Sequence, residues 1–169
     1  DAAFLATGQT GIVIAGRGIP LDAFRVDHAA GAVERMVLEA GGHDVLILEG
    51  QGSLLHPGST ATLPLMRGSC ATGMILCHRA GMERLDTLGE VRVPPLAEVV
   101  ALNEAVAGAA GALTPARVLG IALNTSRLDE DAARAAVDAA AKDTGLPATD
   151  PVRFGAGPLA AAIGAHPPA

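Results

Sequence analysis

Asp44-Val45-Leu46-Ile47-Leu48-Glu49-Gly50-Gln51-Gly52-Ser53 is the stretch of sequence that decides the fold. Its apolar run, residues 45–48, would be buried on both faces, which is typical of a central strand in a parallel sheet. The run ends at Glu49, and a glycine-containing loop follows it. Because ligands of parallel α/β sheets bind outside the carboxyl ends of the strands, the sequence predicts that Glu49 and its loop border a ligand site.

Further apolar runs and helical periodicities extend this pattern in both directions. The sequence predicts strands at 2–7, 44–49, 73–78 and 117–123, and helices at 22–40, 95–109, 129–143 and 156–163. Residues 8–20 and 50–72 are predicted to be loops, the second with one helical turn around Leu65. Alternation of strands and helices indicates an α/β fold: a parallel sheet with helices on both faces.

The same pattern predicts one domain over residues 1–164 and a frayed tail over 165–169. The chain opens directly in a strand at Asp1, so we expect it to be the later part of a longer protein.

Composition narrows the function classes. The 169 residues are half apolar, carry a formal net charge of −6, and include three Phe but neither Trp nor Tyr. Stacking platforms for single-stranded nucleic acid need aromatic faces, and phosphate tracking needs basic runs, so we expect no nucleic-acid partner. No apolar run reaches the ~18–20 residues of a membrane span, and the two cysteines form no disulfide framework. We expect a cytoplasmic protein that handles a small-molecule substrate, with Ala- and Gly-rich helix faces that would permit a homo-oligomer.

Glu49 is the first candidate for chemistry. A carboxylate at a strand end stays partly solvated or has a partner, and there it could hold a metal, orient an amine or act as a base. Gly50 and Gly52 would let a ligand approach the backbone, with Gln51 and Ser53 beside it. The alternative is a glutamate that only caps its own turn.

Polar residues also follow the first strand. Gln9 and Thr10, between Gly8 and Gly11, could donate to phosphate or carboxylate oxygens. A plain glycine-rich turn is the alternative. Asp22 and Asp27 open the first predicted helix, where Asp22 is a natural N-cap and Asp27 could be an ordinary polar-face residue.

Two histidines end elements on the same predicted edge. His56 or His78 could serve as a general base, and a structural histidine is the alternative for each. Zinc ligation by His56, Cys77 and His78 is disfavoured because adjacent strand residues point to opposite faces. We therefore predict no metal site, and Cys77 is predicted to be a core thiol.

Asn124 and Thr125 close the fourth strand. An Asn in that position could contact a nucleobase edge or a pantetheine amide. The alternative is turn and helix-start chemistry, since Ser126 and Asp129 have spacing like that of a capping box.

Several runs, in order along nearly the whole chain, resemble a bacterial family long called a domain of unknown function, whose best-known activity is D-glutamate N-acetylation with acetyl-CoA. The runs are Ala6-Thr7-Gly8-Gln9-Thr10-Gly11-Ile12, Ile19-Pro20-Leu21-Asp22-Ala23, Glu49-Gly50-Gln51-Gly52-Ser53-Leu54-Leu55-His56-Pro57, Leu76-Cys77-His78, Leu123-Asn124-Thr125-Ser126, Gly145-Leu146-Pro147 and Asp150-Pro151-Val152-Arg153. The family has a divergent P-loop-like C-terminal domain, so the resemblance implies a P-loop NTPase-like, Rossmann-like three-layer architecture.

The resemblance implies an N-acetyltransferase that takes acetyl-CoA as cosubstrate and an acidic D-amino acid as acceptor. Under it, Glu49 or His56 would be the base or the amine-orienting group. Anion contacts would come from Gln9, Thr10 and the backbone amides of residues 50–53, and Arg79 or Arg153 would clamp a carboxylate.

A weaker resemblance is to dethiobiotin synthetase and related P-loop enzymes, in which Glu49 would bind magnesium and Asn124 would contact the adenine of ATP. Their GxxxxGK[ST] loop does not occur in these 169 residues, and Lys142 lies in a late predicted helix. A third hypothesis is a non-catalytic ligand-binding or assembly domain.

Overall fold

A computed structural model describes residues 1–167. Contacts between Cα atoms divide the chain into two compact units, the first over residues 1–70 and the second beginning at Ala71. Each unit is described by itself below. No helix within the described part of the chain is long and apolar enough to cross a membrane.

The first unit is built on two parallel strands. Its elements, in chain order, are β1 (Ala2–Ala6), α1 (Gln9–Ala15), a 3₁₀ turn (Leu21–Ala23), α2 (Val26–Glu39), β2 (Val45–Glu49) and α3 (Thr62–Ser69). β1 pairs with β2 in a register that sets Ala6 opposite Glu49, so both carboxyl ends lie at one edge. A buried cluster of Leu21, Ala29, Val33 and Ala61 packs with Leu48 and Leu65 among others, and forms the core of this unit.

Helices α2 and α3 approach each other closely at a glycine. A Cβ added to Gly68 would lie 2.7 Å from the Cβ of Val33 and would overlap the backbone carbonyl oxygen of Ala30. A glycine is therefore required there for α3 to pack on α2.

The second unit contains a three-stranded parallel sheet and an antiparallel hairpin. Its elements are β3 (Gly73–Arg79), β4 (Arg84–Leu85), β5 (Leu88–Arg92), α4 (Leu96–Ala107), a 3₁₀ turn (Ala109–Gly111), β6 (Arg117–Asn124), α5 (Glu130–Thr144), β7 (Ala148–Thr149) and α6 (Gly157–Ala165). The strand order is β3-β6-β7, and β4 pairs with β5. Val118, Ile121 and Leu123 of β6 pack with Ala140 of α5 in the core of this unit.

The predicted α/β class with parallel strands is confirmed, and four strands and four helices lie close to their predicted positions. Four local predictions are wrong, and the fourth is the burial of residues 45–48 on both faces of a central strand: among the described strands β2 pairs with β1 alone, and its Ile47 is 45% exposed. Residues 9–15, which were predicted to be a loop, form the helix α1. The flanking glycines lie at its two ends, because Gly8 is the N-cap and Gly16 ends the helix in the left-handed conformation at φ 70°. The predicted single turn around Leu65 is the eight-residue helix α3.

The third wrong prediction concerns the first long helix, which was predicted from residue 22. α2 begins at Val26, because residues 24 and 25 are extended and separate it from the preceding 3₁₀ turn. The hairpin β4–β5 was not predicted. The proposed single domain over residues 1–164 stays a prediction; Ala165 of the predicted tail ends α6, and Pro168 and Ala169 lie outside the described residues.

Candidate functional site

In the first unit, candidate residues gather where β1 and β2 end. The hydroxyl of Thr7, which is fully buried, donates to the backbone carbonyl of Glu49 at 2.8 Å. The amide of Gly8 donates to Oε2 of Glu49 at 3.3 Å. The carboxylate therefore lies at the start of α1, close to the backbone that follows β1.

Two glycines make room for that carboxylate. A Cβ on Gly11 would lie 2.5 Å from Oε2 of Glu49, and a Cβ on Gly8 would lie 3.2 Å from its Oε1. We call this space, bounded by Gly8 and Gly11, the carboxylate notch. Any side chain at Gly11 would displace the Glu49 carboxylate from the notch.

Gln51 lies at the same notch. Its Oε1 would be 2.7 Å from a Cβ on Gly8, so the Gln51 amide and the Glu49 carboxylate both border Gly8. That oxygen is inaccessible to solvent and receives no hydrogen bond from any residue in the range 1–167. A buried acceptor without a donor costs about 1–3 kcal/mol, which makes Gln51 unusual in this unit.

Gly50 and Gly52 were predicted to let a ligand reach the backbone. In the structure, side chains of the chain itself lie against both glycines. A Cβ on Gly50 would overlap a methyl of Leu65, and one on Gly52 would lie 2.6 Å from the hydroxyl of Thr62. Gly52 also has φ 97°, a conformation that favours glycine. These glycines let the start of α3 and the residues before it pack on the loop.

The rest of the loop is held by short-range hydrogen bonds. Ser53 donates its amide to Oγ of Ser59 at 3.1 Å, so this amide is not available to an anion. The amide of Gly58 donates to Nδ1 of His56 at 3.1 Å. A neutral His56 ring that accepts at Nδ1 carries its hydrogen on Nε2.

The candidates around α1 are exposed. Gln9 donates its Nε2 to Oδ2 of Asp22 at 3.0 Å, and Thr10 is exposed on α1. The N-cap role predicted for Asp22 is wrong, since the N-cap of α2 is Arg25 and makes no side-chain capping bond. Asp27 is exposed in the first turn of α2, 3.9 Å from the Nε of Arg25.

In the second unit, the candidates gather where β3 and β6 end. The register sets Arg79 opposite Asn124, so these parallel strands also end at one edge. A cleft of about 660 Å³ opens there. Its lining comes from the ends of β3 and β6 and from the loop after β7: Cys77, His78, Ala122, Leu123, Asn124, Ser126, Asp150, Pro151, Val152 and Arg153.

His78 and Cys77 both line this cleft. Partial burial, with a smaller contribution from the charge of Arg79, holds the pKa of His78 below its usual 6.5. Cys77 is exposed, so its prediction as a core thiol is wrong. Its strand forms the edge of the three-stranded sheet and is only partly covered.

Asp150 organises one side of the cleft, and sequence reasoning missed it as a site residue. Only 4% of its surface is exposed. Its Oδ2 accepts from the amide (2.9 Å) and the hydroxyl (2.5 Å) of Thr125, and its Oδ1 accepts from the amides of Val152 (2.9 Å) and Arg153 (3.0 Å). These donors, the Thr125 hydroxyl foremost, lower the pKa of Asp150 from 3.8 to about 2. Its position after a strand and before a proline was the available signal.

Thr125 is therefore buried and hydrogen-bonded to Asp150, whereas the neighbouring Asn124 is exposed. The Oδ1 of Asn124 accepts from the amide of Ser126 at 3.0 Å, so its Nδ2 hydrogens remain as donors on the cleft. The N-cap of α5 is Asp129, whose carboxylate accepts from the amide of Ala132 at 2.8 Å; Ser126 does not cap this helix.

Both predicted carboxylate clamps have partners within the chain. Arg79 forms a bidentate pair with Asp86, with both N–O distances 2.6 Å. Arg153 donates its Nη2 to the carbonyls of Thr125 (3.2 Å) and Leu128 (2.9 Å). A guanidinium has five N–H donors, so Arg153 keeps three for a ligand. Residues 1–167 contain no group of three or more His, Cys, Asp or Glu side chains that could hold a metal ion.

The chain matches a family model described as "Domain of unknown function (DUF1611_C) P-loop domain" over residues 1–160. It is similar to a D-glutamate N-acetyltransferase of Tritonibacter scottomollicae, with 39% identity over 96% of this chain and 48% of that protein. It is also similar to a D-glutamate N-acetyltransferase of Pseudoalteromonas sp, with 32% identity over 92% of this chain and 46% of that protein.

A crystal structure of a DUF1611 family protein from Anabaena variabilis ATCC 29413 has the same fold, with a TM-score of 0.95. It is 55% identical, and the match covers 98% of this chain and 48% of that one. The chain thus spans about half the length of the relatives that it matches. It belongs to the DUF1611 C-terminal P-loop domain family, and the predicted family resemblance is confirmed.

Proposed function

We propose that the protein carrying this chain is an N-acetyltransferase that transfers the acetyl group of acetyl-CoA to the amino group of an acidic D-amino acid such as D-glutamate. The observation that carries the proposal is that two relatives named D-glutamate N-acetyltransferase match more than nine-tenths of the chain. With 163 and 156 residues matched, both matches extend over both units.

The reaction has clear chemical requirements. The acceptor ammonium must lose a proton to a base before its nitrogen attacks the carbonyl carbon of the thioester. A C–N bond then forms, the C–S bond breaks, and the sulfur leaves as thiolate and takes up a proton. Donors near the carbonyl oxygen stabilise the negative charge that develops on it.

We assign the amine-side role to Glu49. Its carboxylate accepts one long hydrogen bond, 3.3 Å from the Gly8 amide, and can accept further donors from an ammonium group. A carboxylate in that position orients the amine and takes its proton. The glycines of the notch hold the carboxylate at the end of β2.

The geometry of His56 disfavours a base role at Nδ1. This nitrogen accepts from the Gly58 amide at 3.1 Å, so its lone pair is already engaged. Of the two bases that the family resemblance implies, Glu49 and His56, Glu49 is therefore the one that we propose.

For the second unit we propose a role in binding acetyl-CoA. The cleft combines apolar walls at Ala122, Leu123 and Val152 with the Nδ2 donors of Asn124. Amide donors beside an apolar surface suit either a nucleobase or a pantetheine chain. The three remaining donors of Arg153 suit a phosphate.

Release of free thiol from acetyl-CoA tests the proposal. The assay uses a protein that contains this chain and has the full length of the relatives. We expect release with D-glutamate, and a loss of about 10²- to 10⁴-fold in kcat for Glu49→Gln, the usual effect of removing a positioned base. Glu90→Gln, an exposed glutamate on β5, is the matched control and should leave the rate unchanged. Absence of thiol release with every amino acid tested would overturn the proposal.

A second candidate function, ATP- and magnesium-dependent ligation, is favoured by the P-loop description of the family. Under it, Glu49 would hold magnesium and Asn124 would contact adenine. Calorimetry with ATP, with and without magnesium, separates the two candidates, because only this one requires nucleotide binding that depends on magnesium. Equal heats with and without magnesium would eliminate it.

A further inference from the structure

We infer that Asp150 and Thr125 are positioning residues, which hold the guanidinium of Arg153 in place to bind a phosphate of acetyl-CoA; this inference rests on the proposed function. The geometry that supports it is a closed set of hydrogen bonds between the loop after β6 and the loop after β7. Residues of both loops line the cleft of the second unit. Asp150 and Thr125 are themselves 4% and 1% exposed, so they act on a ligand through Arg153.

The hydrogen bonds fix Arg153 at its two ends. Thr125 donates its amide and its hydroxyl to Oδ2 of Asp150, at 2.9 and 2.5 Å. Oδ1 of the same carboxylate accepts from the backbone amide of Arg153 at 3.0 Å. The carbonyl of Thr125 accepts from Nη2 of Arg153 at 3.2 Å. Asp150 therefore holds the backbone of the arginine, and Thr125 holds the tip of its side chain.

Arg153 keeps its charge and most of its donors available. It is exposed and lines the cleft, and only its Nη2 is bound to the chain, by the carbonyls of Thr125 and Leu128. Within residues 1–167, no carboxylate forms an ion pair with its guanidinium, whereas Arg79 is paired with Asp86. An arginine that is fixed by neutral carbonyls at the mouth of a cleft suits an anionic ligand.

Fixing the side chain before the ligand arrives favours binding. A long side chain that becomes ordered only on binding has an entropic cost, and an arginine held by the fold meets that cost during folding. The structural explanation is that these hydrogen bonds only join the two loops. Variants would then lower the unfolding free energy and leave the affinity of the folded protein unchanged, so affinity separates the two explanations.

The test is calorimetric titration of CoA into the full-length protein of the thiol assay, at a temperature where each variant is folded. We expect Asp150→Asn and Thr125→Val each to weaken CoA binding by about 3- to 10-fold, the ratio that corresponds to ordering one long side chain. The KM for acetyl-CoA should rise by the same factor, with kcat and the KM for D-glutamate unchanged. Thr125→Ser keeps the hydroxyl and should restore the wild-type affinity. If Asp150→Asn does not fold, Thr125→Val decides the test.

A double-variant comparison shows whether the effect passes through Arg153. Arg153→Ala should weaken CoA binding by about 10- to 100-fold, the effect of hydrogen bonds between charged groups. Adding Thr125→Val to Arg153→Ala should cause no further loss of affinity, because the side chain that Thr125 holds is then absent. Independent effects would instead multiply.

Thr144→Val is the matched control. Thr144 is half-buried and donates its hydroxyl to the carbonyl of Ala140 in α5, and it does not line the cleft. This variant should leave CoA affinity unchanged. The inference is overturned if wild-type protein does not bind CoA, or if Asp150→Asn and Thr125→Val bind it as wild type does. Effects that multiply with that of Arg153→Ala, or an equal loss in Thr144→Val, would also overturn it. CoA binding that shows the expected pattern without any acetyl transfer would overturn the proposed function and support the positioning role.

Discussion

Replacing Asp150 by Asn should destabilise the protein in a way that depends on pH. The carboxylate accepts four hydrogen bonds, and Asn has one carbonyl oxygen and an NH₂ group in place of the two oxygens. The NH₂ group would face donors, so part of the network would be left unpaired. Breaking a buried charged network of this kind costs about 2–4 kcal/mol of unfolding free energy near neutral pH.

The pKa of Asp150 sets the part of this effect that depends on pH. The native pKa is about 2, against 3.8 for the free side chain. A carboxyl group whose pKa is lower in the folded state contributes its stability fully above 3.8 and loses it as the pH falls through the folded value. The difference between these two pKa values corresponds to about 2 kcal/mol of unfolding free energy, of which about half remains at pH 3.

Urea denaturation of wild type and Asp150→Asn at pH 6 and pH 3 measures both quantities. We expect the difference in unfolding free energy to be about 1 kcal/mol smaller at pH 3 than at pH 6. Asp138→Asn, an exposed aspartate on α5, is the control and should show no difference at either pH. If Asp150→Asn does not fold, Thr125→Val removes one donor and should cost about 1–2 kcal/mol. A difference that stays the same at both pH values would refute the reasoning.

Three other predictions concern packing and charge. Gly68→Ala should lower the unfolding free energy by about 1–3 kcal/mol, because the added methyl group would overpack against α2. Gly31→Ala, in open space on α2, should instead raise it by about 0.5–1 kcal/mol. Equal effects of the two substitutions in denaturant titrations would contradict the close approach of α3 to α2. Arg79→Ala should raise the pKa of Asp86, which Arg79 now lowers; an unchanged carboxyl titration by NMR would count against the bidentate pair. His78 should titrate below 6.5 by NMR, and its contribution to stability should be lost as the pH falls through that lowered pKa; a midpoint at or above 6.5 would contradict its burial.

Parts of the fold that depend on continuous apolar runs could be predicted from the sequence. β2 and β6 were predicted because their runs, 45–48 and 118–123, exceed what a turn would contain. α1 was missed because its glycines resemble those of a loop, and glycine lowers helix propensity when considered alone. In the structure Gly8 and Gly11 are needed to accommodate the Glu49 carboxylate, and these contacts span 41 and 38 residues, so local propensity cannot reveal them.

The candidate site was predictable only where it depended on strand ends. Glu49 and Asn124 end their strands, so their location at the carboxyl edges followed from the α/β pattern. The network of Asp150 did not, because two of its donors come from Thr125, 25 residues earlier. Nor did the sequence indicate that the Gln51 oxygen would be buried without a donor, which is a property of packing.

The separation between Asp150 and Thr125 also has a kinetic consequence. Helix α5 and strand β7 lie between them in the chain, so the loop after β6 acquires its carboxylate partner only once both elements have docked. Closing such a loop has an entropic cost that is recovered late. The φ-value of Thr125→Val should therefore be lower than that of Ile121→Val in the core of the same strand. During synthesis on the ribosome, the cleft would be among the last features of this unit to take shape.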